Sequence, residues 1–509
     1  MKLTLAALLL ALAAAVSAQE PEIQPVTNTP ATGASAANPF AAAFGSTPIA
    51  PSVEKTTPLN DLPLNDPLLS SRGSWDQSYG DQWGLSHIGL VSEEGIPSAA
   101  FPEQLKPVIV ALIDSGVDYS HPDLPVEQLW RNPDERANGR DDDGNGLIDD
   151  LIGWNFVARS NSPWDDHGHG THIAGIIAAG RDNGIGISGI APNARLMVLK
   201  VVDASGHASG SHIAQAVRYA TDKGARLIHL SLGGQEPGAV ELDAINYALD
   251  REVVVITAAG NQARGDSDRG YEQLERVLVV GAVTPDGQRA LFSDWGPALD
   301  LVAPGVNVLS LRAQGSDFLR RNGVAGYTPA SAIVQQHYYR ATGTSFAAPH
   351  VTGLAALILG RDPWLKPPQL QRMLLHSARD LGPRGIDQNH GYGLLDAEAA
   401  LKASPEHFVE ARLQRAELNA AQQLVVVGTT DADSFFQAQV DYGMGEAPQS
   451  WQPLLAQPIS QPLRNQPLLS LDANSLPKGQ LMTLRLITEH RDGSTRESRL
   501  QLQLPGGAP

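Results

Sequence analysis

Val108-Ile109-Val110-Ala111-Leu112-Ile113-Asp114 is a continuous apolar run that ends in a carboxylate. A run without polar alternation is typical of a strand buried on both faces of a parallel sheet. Four similar runs follow, at 196–202, 227–232, 253–258 and 277–283. Helical segments near 210–223 and 239–250 separate several of them, so the pattern predicts an α/β fold with a doubly wound, mainly parallel sheet. Asp114 would lie at the carboxyl edge of that sheet, where such folds bind ligands.

The composition excludes several kinds of protein. The chain has 509 residues and a formal charge of −18, and it contains no long run of Lys or Arg. Nucleic acid and anionic membrane surfaces are therefore not expected as partners. The chain also has no cysteine, which excludes disulfides, thiolate metal sites and a cysteine nucleophile.

The N-terminal segment indicates export. Residues 1–18 contain one lysine, a short apolar core and Val16-Ser17-Ala18, which is the pattern of a signal peptide. The core is short for a membrane anchor, and no later segment is apolar enough to span a bilayer. Residues 19–64 are rich in Ala, Pro, Thr and Ser without apolar periodicity, as in a low-complexity leader or linker. We therefore expect a secreted or extracytoplasmic protein.

Two folded domains are predicted after the leader. The alternation of strands and helices ends near residue 403, which gives an α/β domain over residues 65–403. Short β-type runs separated by turn residues then follow, at 424–427, 435–440, 481–487 and 500–504. They predict a small all-β sandwich over residues 405–509, with a weaker likeness to immunoglobulin or fibronectin modules.

Two stretches bring chemistry to this framework. In Gly343-Thr344-Ser345-Phe346-Ala347-Ala348-Pro349-His350 a serine stands where a glycine-led turn enters an Ala-rich run, near helix N–H groups that favour negative charge. A helix cap would explain that serine alone. Asp166-His167-Gly168-His169-Gly170-Thr171-His172 places His169 at another helix start. With Asp114, these are the residue types of an acyl-transfer triad, in which a carboxylate orients an imidazole that deprotonates a hydroxyl.

Three blocks of the sequence resemble the subtilisin-like serine peptidase family. They are an aspartate block at 111–118, a histidine block at 169–175 and a serine block at 343–350, in the family's order. The resemblance covers about residues 65–403. It implies an endopeptidase that cleaves polypeptides through an acyl-enzyme, with Asp114, His169 and Ser345 as its catalytic residues. The neighbouring His167, His172 and His350 are expected to be structural.

The resemblance gives two further blocks a role. Asn261 follows Ala258-Ala259-Gly260 and would donate to the oxyanion, which is worth about 10²–10³ in turnover, the magnitude known for subtilisin. Ser231-Leu232-Gly233-Gly234 resembles the family's edge segment that pairs with an extended substrate backbone. The alternatives are a simple turn residue for Asn261 and a plain strand end for the second block.

The acidic segment 141–150 spaces its oxygen atoms like an EF-hand-type calcium loop. Counted from Asp141, oxygen-bearing side chains fall at positions 1, 3, 5 and 9, and a glycine falls at position 6. The predicted calcium ligands are Asp141, Asp143, Asn145, Leu147 through its carbonyl, and Asp149. Position 12 is Ile152 rather than glutamate, so Asp149 or Asp150 would have to complete the shell. A solvated acidic turn is the alternative to this structural calcium site.

The sequence also departs from the family. Residues 19–63 do not resemble the folded inhibitory propeptide of many secreted members, and residues 311–340 are longer than a typical connection, which suggests a surface loop. Two other functions stay open at this point. One is a non-catalytic surface-binding protein on the same fold, and the other is an acyl transferase that processes or ligates one dedicated peptide.

Overall fold

The computed structural model describes residues 62–231, 236–265, 270–271, 274, 276–314 and 332–505. The predicted signal peptide and nearly all of the predicted leader lie outside these residues. So do Leu232, Gly233 and Gly234 of the predicted substrate segment.

A seven-stranded parallel sheet forms the centre of the α/β region, in the order β2-β3-β1-β4-β5-β6-β7. Its strands are β1 (Val108–Asp114), β2 (Gly153–Asn155), β3 (Ala194–Lys200), β4 (Leu227–Leu230), β5 (Val254–Ala258), β6 (Leu278–Val283) and β7 (Leu301–Pro304). Every residue of β4 to β7 is buried, which explains why these strands lack polar alternation. The predicted parallel sheet is confirmed.

Helices connect and cover these strands. Those in the described part of the chain are α1 (Pro67–Ser70), α2 (Trp83–His87), α3 (His169–Ala178), α4 (Gly210–Asp222), α5 (Ala239–Leu249), α6 (Thr344–Arg361), α7 (Pro367–His376) and α8 (Ala397–Lys402). The crossovers α4 and α5 share one apolar core with the sheet. The long helix α6 is almost wholly buried and contacts α3 and strands β4 to β7. Among the described residues, no helix combines the length and apolarity needed to cross a membrane.

Of the predicted loop at 311–340, residues 311–314 and 332–340 lie among the described residues, and several of these belong to strands. A second, antiparallel sheet contains β8 (Val308–Leu311), β9 (Ile333–Val334) and β10 (Tyr338–Ala341), in the order β8-β10-β9. The loop prediction was therefore wrong for β9 and β10. The aromatic pair Tyr338-Tyr339 is buried there and favours a strand, although the connection is long.

Two antiparallel sheets form the C-terminal region, as predicted. Their strands are β11 (Val409–Leu418), β12 (Gln423–Ala432), β13 (Phe435–Met444), β14 (Gln452–Pro453), β15 (Leu463–Asp472), β16 (Leu481–His490) and β17 (Thr495–Gln503). The order is β11-β12-β15 in one sheet and β14-β13-β16-β17 in the other, and one apolar core is shared between them. We refer to this region as the sandwich.

Candidate active site

The end of β1 and the start of α3 bring the predicted aspartate and histidine together. His169 Nδ1 lies 2.8 Å from Asp114 Oδ1 and 3.0 Å from Oδ2. The two elements can approach because position 170 is glycine: a Cβ there would lie 2.2 Å from the carbonyl oxygen of Gly116. The Asp114 side chain is fully buried, whereas 16% of the His169 side chain is exposed. Nδ1–H donates to the carboxylate, so Nε2 is the ring nitrogen that can accept a proton.

The two groups change each other's proton affinity. Burial alone would raise the pKa of Asp114, but the charge of His169 and its hydrogen bond outweigh burial and lower that pKa. Burial alone would lower the pKa of His169, but the charge and hydrogen bond of Asp114 raise it above its ordinary value, with a smaller contribution from Asp165. The imidazole is therefore a stronger base than a free histidine.

A buried carboxylate that the sequence reading missed organises the histidine block. Asp165 Oδ1 accepts hydrogen bonds from Ser115 Oγ at 2.8 Å and from the backbone N–H of Gly168 at 2.7 Å. Its Oδ2 accepts from the backbone N–H and the hydroxyl of Thr171, at 2.9 and 2.6 Å. Asp165 thus ties the residue after Asp114 to the loop that presents the histidine. The only signal in the sequence is a carboxylate just before a segment rich in small donors.

Ser345 is the second residue of α6, and the residue that follows it contacts the imidazole. The ring of Phe346, the next residue, is 5.4 Å from the ring of His169 between centroids. Ser345 Oγ donates to the carbonyl oxygen of Ser231 at 3.2 Å, and Ser231 Oγ donates to the carbonyl oxygen of Ser345 at 3.1 Å. That carbonyl is available because Pro349, four residues on, has no N–H to donate to it. Pro349 lies beyond the first turn of α6. Because it lacks an N–H, the carbonyl oxygen of Ser345 can accept from Ser231 instead.

A buried histidine contacts the hydroxyl of Ser231. His229 lies on β4, with Nε2 at 2.6 Å from Ser231 Oγ and Nδ1 at 2.8 Å from Thr352 Oγ1 on α6. Burial lowers the pKa of His229 to about 3, so its ring is neutral at physiological pH. The sequence reading missed this residue because a lone histidine in an apolar strand has no motif around it.

Thr344, the residue before Ser345, positions the side chain of Asn261. Its Oδ1 accepts from the backbone N–H of Thr344 at 2.8 Å and from the hydroxyl at 2.9 Å. Since a backbone N–H can only donate, the amide oxygen must face Thr344, and Nδ2 is left as the donor. The turn before it needs Gly260, which has φ of 111° and whose Cβ would lie 2.3 Å from Asp294 Oδ2. Thr344 is a further residue that the sequence reading missed.

Two of the three neighbouring histidines contact backbone carbonyls, and the third is buried. His172 Nε2 lies 2.9 Å from the carbonyl oxygen of Tyr339, and burial lowers its pKa to about 3. His350 Nδ1 lies 3.0 Å from the carbonyl oxygen of Phe346, and burial lowers its pKa to about 4. The ring of His167 is buried, 6.3 Å from that of His169. These contacts agree with the structural roles expected for all three.

The acidic segment gathers carboxylates in a different set from the one predicted. One oxygen from each of Glu135, Asp143 and Asp150 lies within 4.8 Å of the others. The group contains Asp143 from the predicted ligand set and Asp150, which was the alternative to Asp149 for completing the shell. Lys223 Nζ forms an ion pair with Asp143. All-oxygen donors of this kind suit a hard cation such as Ca²⁺. The sequence reading missed Glu135 because it precedes the loop and has no place in the loop's spacing.

Backbone donors hold the other predicted ligands. The Asp141 carboxylate accepts from the N–H groups of Gly144, Asn145 and Gly146, at 2.7, 3.1 and 2.8 Å. Leu147 donates its N–H to Asn145 Oδ1 at 2.7 Å. The Asp149 carboxylate accepts from the N–H groups of residues 138 and 139. These bonds shape the loop, and they leave lone pairs on the carboxylates.

Comparison with known proteins places this chain in a family. Residues 106–393 match the Subtilase family. Alkaline protease of Alkalihalobacillus alcalophilus is 36% identical over 322 residues, 63% of this chain and 70% of that protease. Subtilisin Savinase of Lederbergia lenta is 36% identical over 322 residues, 63% of this chain and 98% of Savinase. The crystal structure of a lanthipeptide protease is 27% identical with a TM-score of 0.46, and the match covers 59% of this chain and 90% of that one. The family match and the two proteases, which agree with the resemblance read from the sequence, show that the chain belongs to the subtilase family and is a serine endopeptidase.

Proposed function

We propose that this chain is an exported endopeptidase that cleaves polypeptides with Asp114, His169 and Ser345 as its triad. The observation that supports this most directly is the 2.8 Å contact between His169 Nδ1 and Asp114 Oδ1, beside the start of the serine helix. An imidazole held in this way can take a proton at Nε2 from a serine hydroxyl. Export rests on the signal-peptide pattern of residues 1–18.

The proposed reaction uses these residues in turn. Ser345 Oγ attacks the peptide carbonyl carbon while His169 takes the hydroxyl proton. The C–N bond then breaks, and the leaving amine receives that proton. Water, deprotonated by the same imidazole, then attacks the acyl carbon. The bond between that carbon and Ser345 Oγ breaks, and the imidazolium returns its proton to Oγ. Asn261 Nδ2 would donate to the oxyanion at both tetrahedral stages, and Thr344 would keep the amide in place.

The substrate backbone would pair with the segment that starts at Ser231 and continues through Leu232, Gly233 and Gly234. Support for this comes from the position of Ser231, which follows β4 directly and exchanges two hydrogen bonds with Ser345. An extended peptide added at this edge would carry its carbonyl toward the serine.

A structural calcium ion at the acidic segment belongs to the same proposal. The carboxylates of Glu135, Asp143 and Asp150 would hold it, since one oxygen from each lies within 4.8 Å of the others. The ion would offset the repulsion between these carboxylates. In a chain without disulfides, this would stabilise the region between β1 and β2.

Digestion of unfolded casein tests the proposed triad. We expect wild-type protein to cleave casein at many sites and to react with a fluorophosphonate probe, and Ser345→Ala to do neither. Ser205→Ala, which changes an exposed serine, is the matched control and should behave as wild type. Cleavage by Ser345→Ala at the wild-type rate would remove Ser345 from the mechanism. Cleavage of only one peptide, or transfer to an added amine, would favour the processing or ligating alternative.

A further inference from the structure

A cluster of two histidines and two aspartates lies where the connection from α8 enters the sandwich, outside the proposed active site. One ligand atom from each of His407, Asp433 and His490 lies within 4.8 Å of the others. The two imidazole rings are 4.9 Å apart between centroids. Neither the acyl-transfer chemistry nor the calcium proposal uses these residues.

We propose that His407, Asp433 and His490 bind a divalent transition-metal ion of the Zn²⁺ type. Two imidazole nitrogens and one carboxylate oxygen are the donors that zinc prefers, and they differ from the all-oxygen set of the acidic segment. Ligand atoms within 4.8 Å of each other need only small side-chain movements to reach bonds of about 2.0–2.2 Å. Three protein ligands leave a fourth position for water.

Asp492 orients both imidazoles for this role. Its Oδ1 lies 2.8 Å from His490 Nδ1, and its Oδ2 lies 3.1 Å from His407 Nε2. Metal-binding histidines usually donate their second ring N–H to a carboxylate in this way. The remaining nitrogens are Nε2 of His490, which lies 3.4 Å from Asp433 Oδ2, and Nδ1 of His407. A single carboxylate thus contacts one nitrogen of each ring and leaves the other nitrogen of each ring as a possible metal ligand.

The cluster has a fixed side and an open side. The side chain of His490 is only 8% exposed, whereas that of His407 is 49% exposed. Asp433 Oδ1 accepts from the backbone N–H of Phe408 at 2.7 Å, and the Asp492 carboxylate accepts from the N–H and hydroxyl of Ser494 at 2.8 and 2.6 Å. The backbone N–H of Asp492 also donates to His490 Nδ1 at 3.0 Å, which requires the ring proton on Nε2. A metal on Nε2 would move that proton to Nδ1, where Asp492 Oδ1 at 2.8 Å can accept it.

The ligands come from three separate segments. His407 belongs to the connection between α8 and β11, Asp433 to the turn between β12 and β13, and His490 to the end of β16. Next to His407, the ring of Phe408 lies under the guanidinium of Arg372 on α7, 4.1 Å from its centroid. A bound metal would therefore fix the connection between the α/β region and the sandwich.

Metal titration of the full chain tests the proposal. The protein is prepared as Ser345→Ala, without a histidine tag and with Ca²⁺ in excess, and Co²⁺ binding is followed by its visible absorption and Zn²⁺ binding by calorimetry. We expect the Ser345→Ala parent to bind one more equivalent of metal per chain than the same protein carrying His490→Ala or His407→Ala. Asp492→Asn should weaken binding about 10–100-fold. His207→Ala removes an exposed histidine that pairs only with Asp203 at 3.9 Å, and it should bind like the parent.

Metal binding by the variants distinguishes a metal site from a cluster of ion pairs. Equal binding by the parent, His490→Ala and His407→Ala would overturn the proposal and leave the cluster as imidazolium–carboxylate ion pairs. His407 is half exposed, so its variant should fold even if that of buried His490 does not. The readout is metal bound per chain, so failure of the proposed catalytic role would not affect the result.

Discussion

The imidazole of His229 lies 2.6 Å from the hydroxyl of Ser231, between Nε2 and Oγ, directly behind the backbone of Ser345. Ser231 has one hydroxyl proton and uses it for the carbonyl of Ser345. His229 must then donate from Nε2, and the Nδ1 of a neutral ring can only accept. The Thr352 hydroxyl therefore donates to Nδ1 at 2.8 Å rather than to the carbonyl oxygen of Ala348, which lies farther away at 3.3 Å. The bonds run in one direction from α6 through the ring to the carbonyl of the proposed nucleophile. A neutral ring is needed for this, which agrees with its burial.

His229→Ala should lower kcat about 10–100-fold with little change in KM, because a poorly placed nucleophile costs about this much. His229→Gln, whose amide can supply the Nε2 donor, should recover part of the loss. Active-site titration should precede the kinetics, so that rates are given per folded enzyme. A variant that is less stable but has the wild-type kcat per active site would limit His229 to a structural role.

Asp114→Asn should change both the rate and its pH dependence. Despite burial, Asp114 raises the pKa of His169, and the imidazole must be neutral to accept the serine proton. For the wild type, kcat/KM should therefore rise with pH through a value above the usual histidine pKa of about 6.5. In Asp114→Asn that limb should move to lower pH, and kcat should fall about 10⁴-fold. Rates measured between pH 5 and 10 give both quantities, and an unmoved limb would contradict the pairing.

Asn261→Ala should lower kcat about 10²–10³-fold while KM changes little, since its amide would act on the oxyanion alone. Thr344→Val removes the hydroxyl that holds Asn261 Oδ1 and should produce a smaller loss, whereas Thr344→Ser keeps it. If Thr344 acts through Asn261, the double variant should be no slower than Asn261→Ala. Additive losses would show two independent roles.

Much of this site could be predicted because its chemistry follows local structure. Asp114 ends a buried strand, and His169 and Ser345 stand at the starts of helices. Each therefore lies at the boundary of an apolar run that can be recognised in the sequence. The residues that were missed, Asp165, His229 and Thr344, have no such marker. They are buried polar groups whose partners lie on other elements, and only the folded chain brings those partners together.

The acidic segment and Pro349 show the same limit. EF-hand spacing pointed to the loop that contains Asp143 and Asp150, but it could not point to Glu135, which comes before the loop and converges with them. Asp141, which the spacing predicts as a ligand, accepts hydrogen bonds from backbone N–H groups of its own loop. Helical composition indicated α6, yet it could not show that Pro349 frees a carbonyl for Ser231.

Calcium removal should destabilise the protein. After EGTA removes the ion, the carboxylates of Glu135, Asp143 and Asp150 would repel one another. Calcium at 100 times its Kd would contribute about 2.7 kcal/mol to the free energy of unfolding, and this contribution would be lost. We expect a Tm lower by several degrees and faster proteolysis of the 135–150 region in the Ser345→Ala protein. Asp150→Asn should abolish the calcium response, and Asp243→Asn, an exposed control, should retain it. An EGTA-independent Tm would argue against the ion.

The junction between the α/β region and the sandwich should weaken in acid because of Glu410. This carboxylate on β11 accepts from His376 Nε2 of α7 at 2.7 Å and from the hydroxyl of Tyr392. Burial would raise its pKa, but the hydrogen bond and charge of His376, the hydrogen bond from Tyr392 and the charge of Arg496 lower it to about 2. Its folded pKa thus lies below its ordinary value of 4.5.

A lowered carboxylate pKa stabilises the folded chain above the unfolded pKa, and the contribution is lost as pH falls toward the folded value. Glu410→Gln should therefore lower Tm at pH 7, and its difference from the parent should shrink as pH falls from 4.5 toward 2. Calorimetry of the Ser345→Ala protein measures this, with Glu417→Gln as a control on the same strand whose carboxylate is 58% exposed. Since Glu410 binds the sandwich to α7, limited proteolysis between residues 403 and 408 should increase over the same pH range. A Tm difference that stays constant from pH 7 to pH 2 would mean that the charge of Glu410 does not hold the junction.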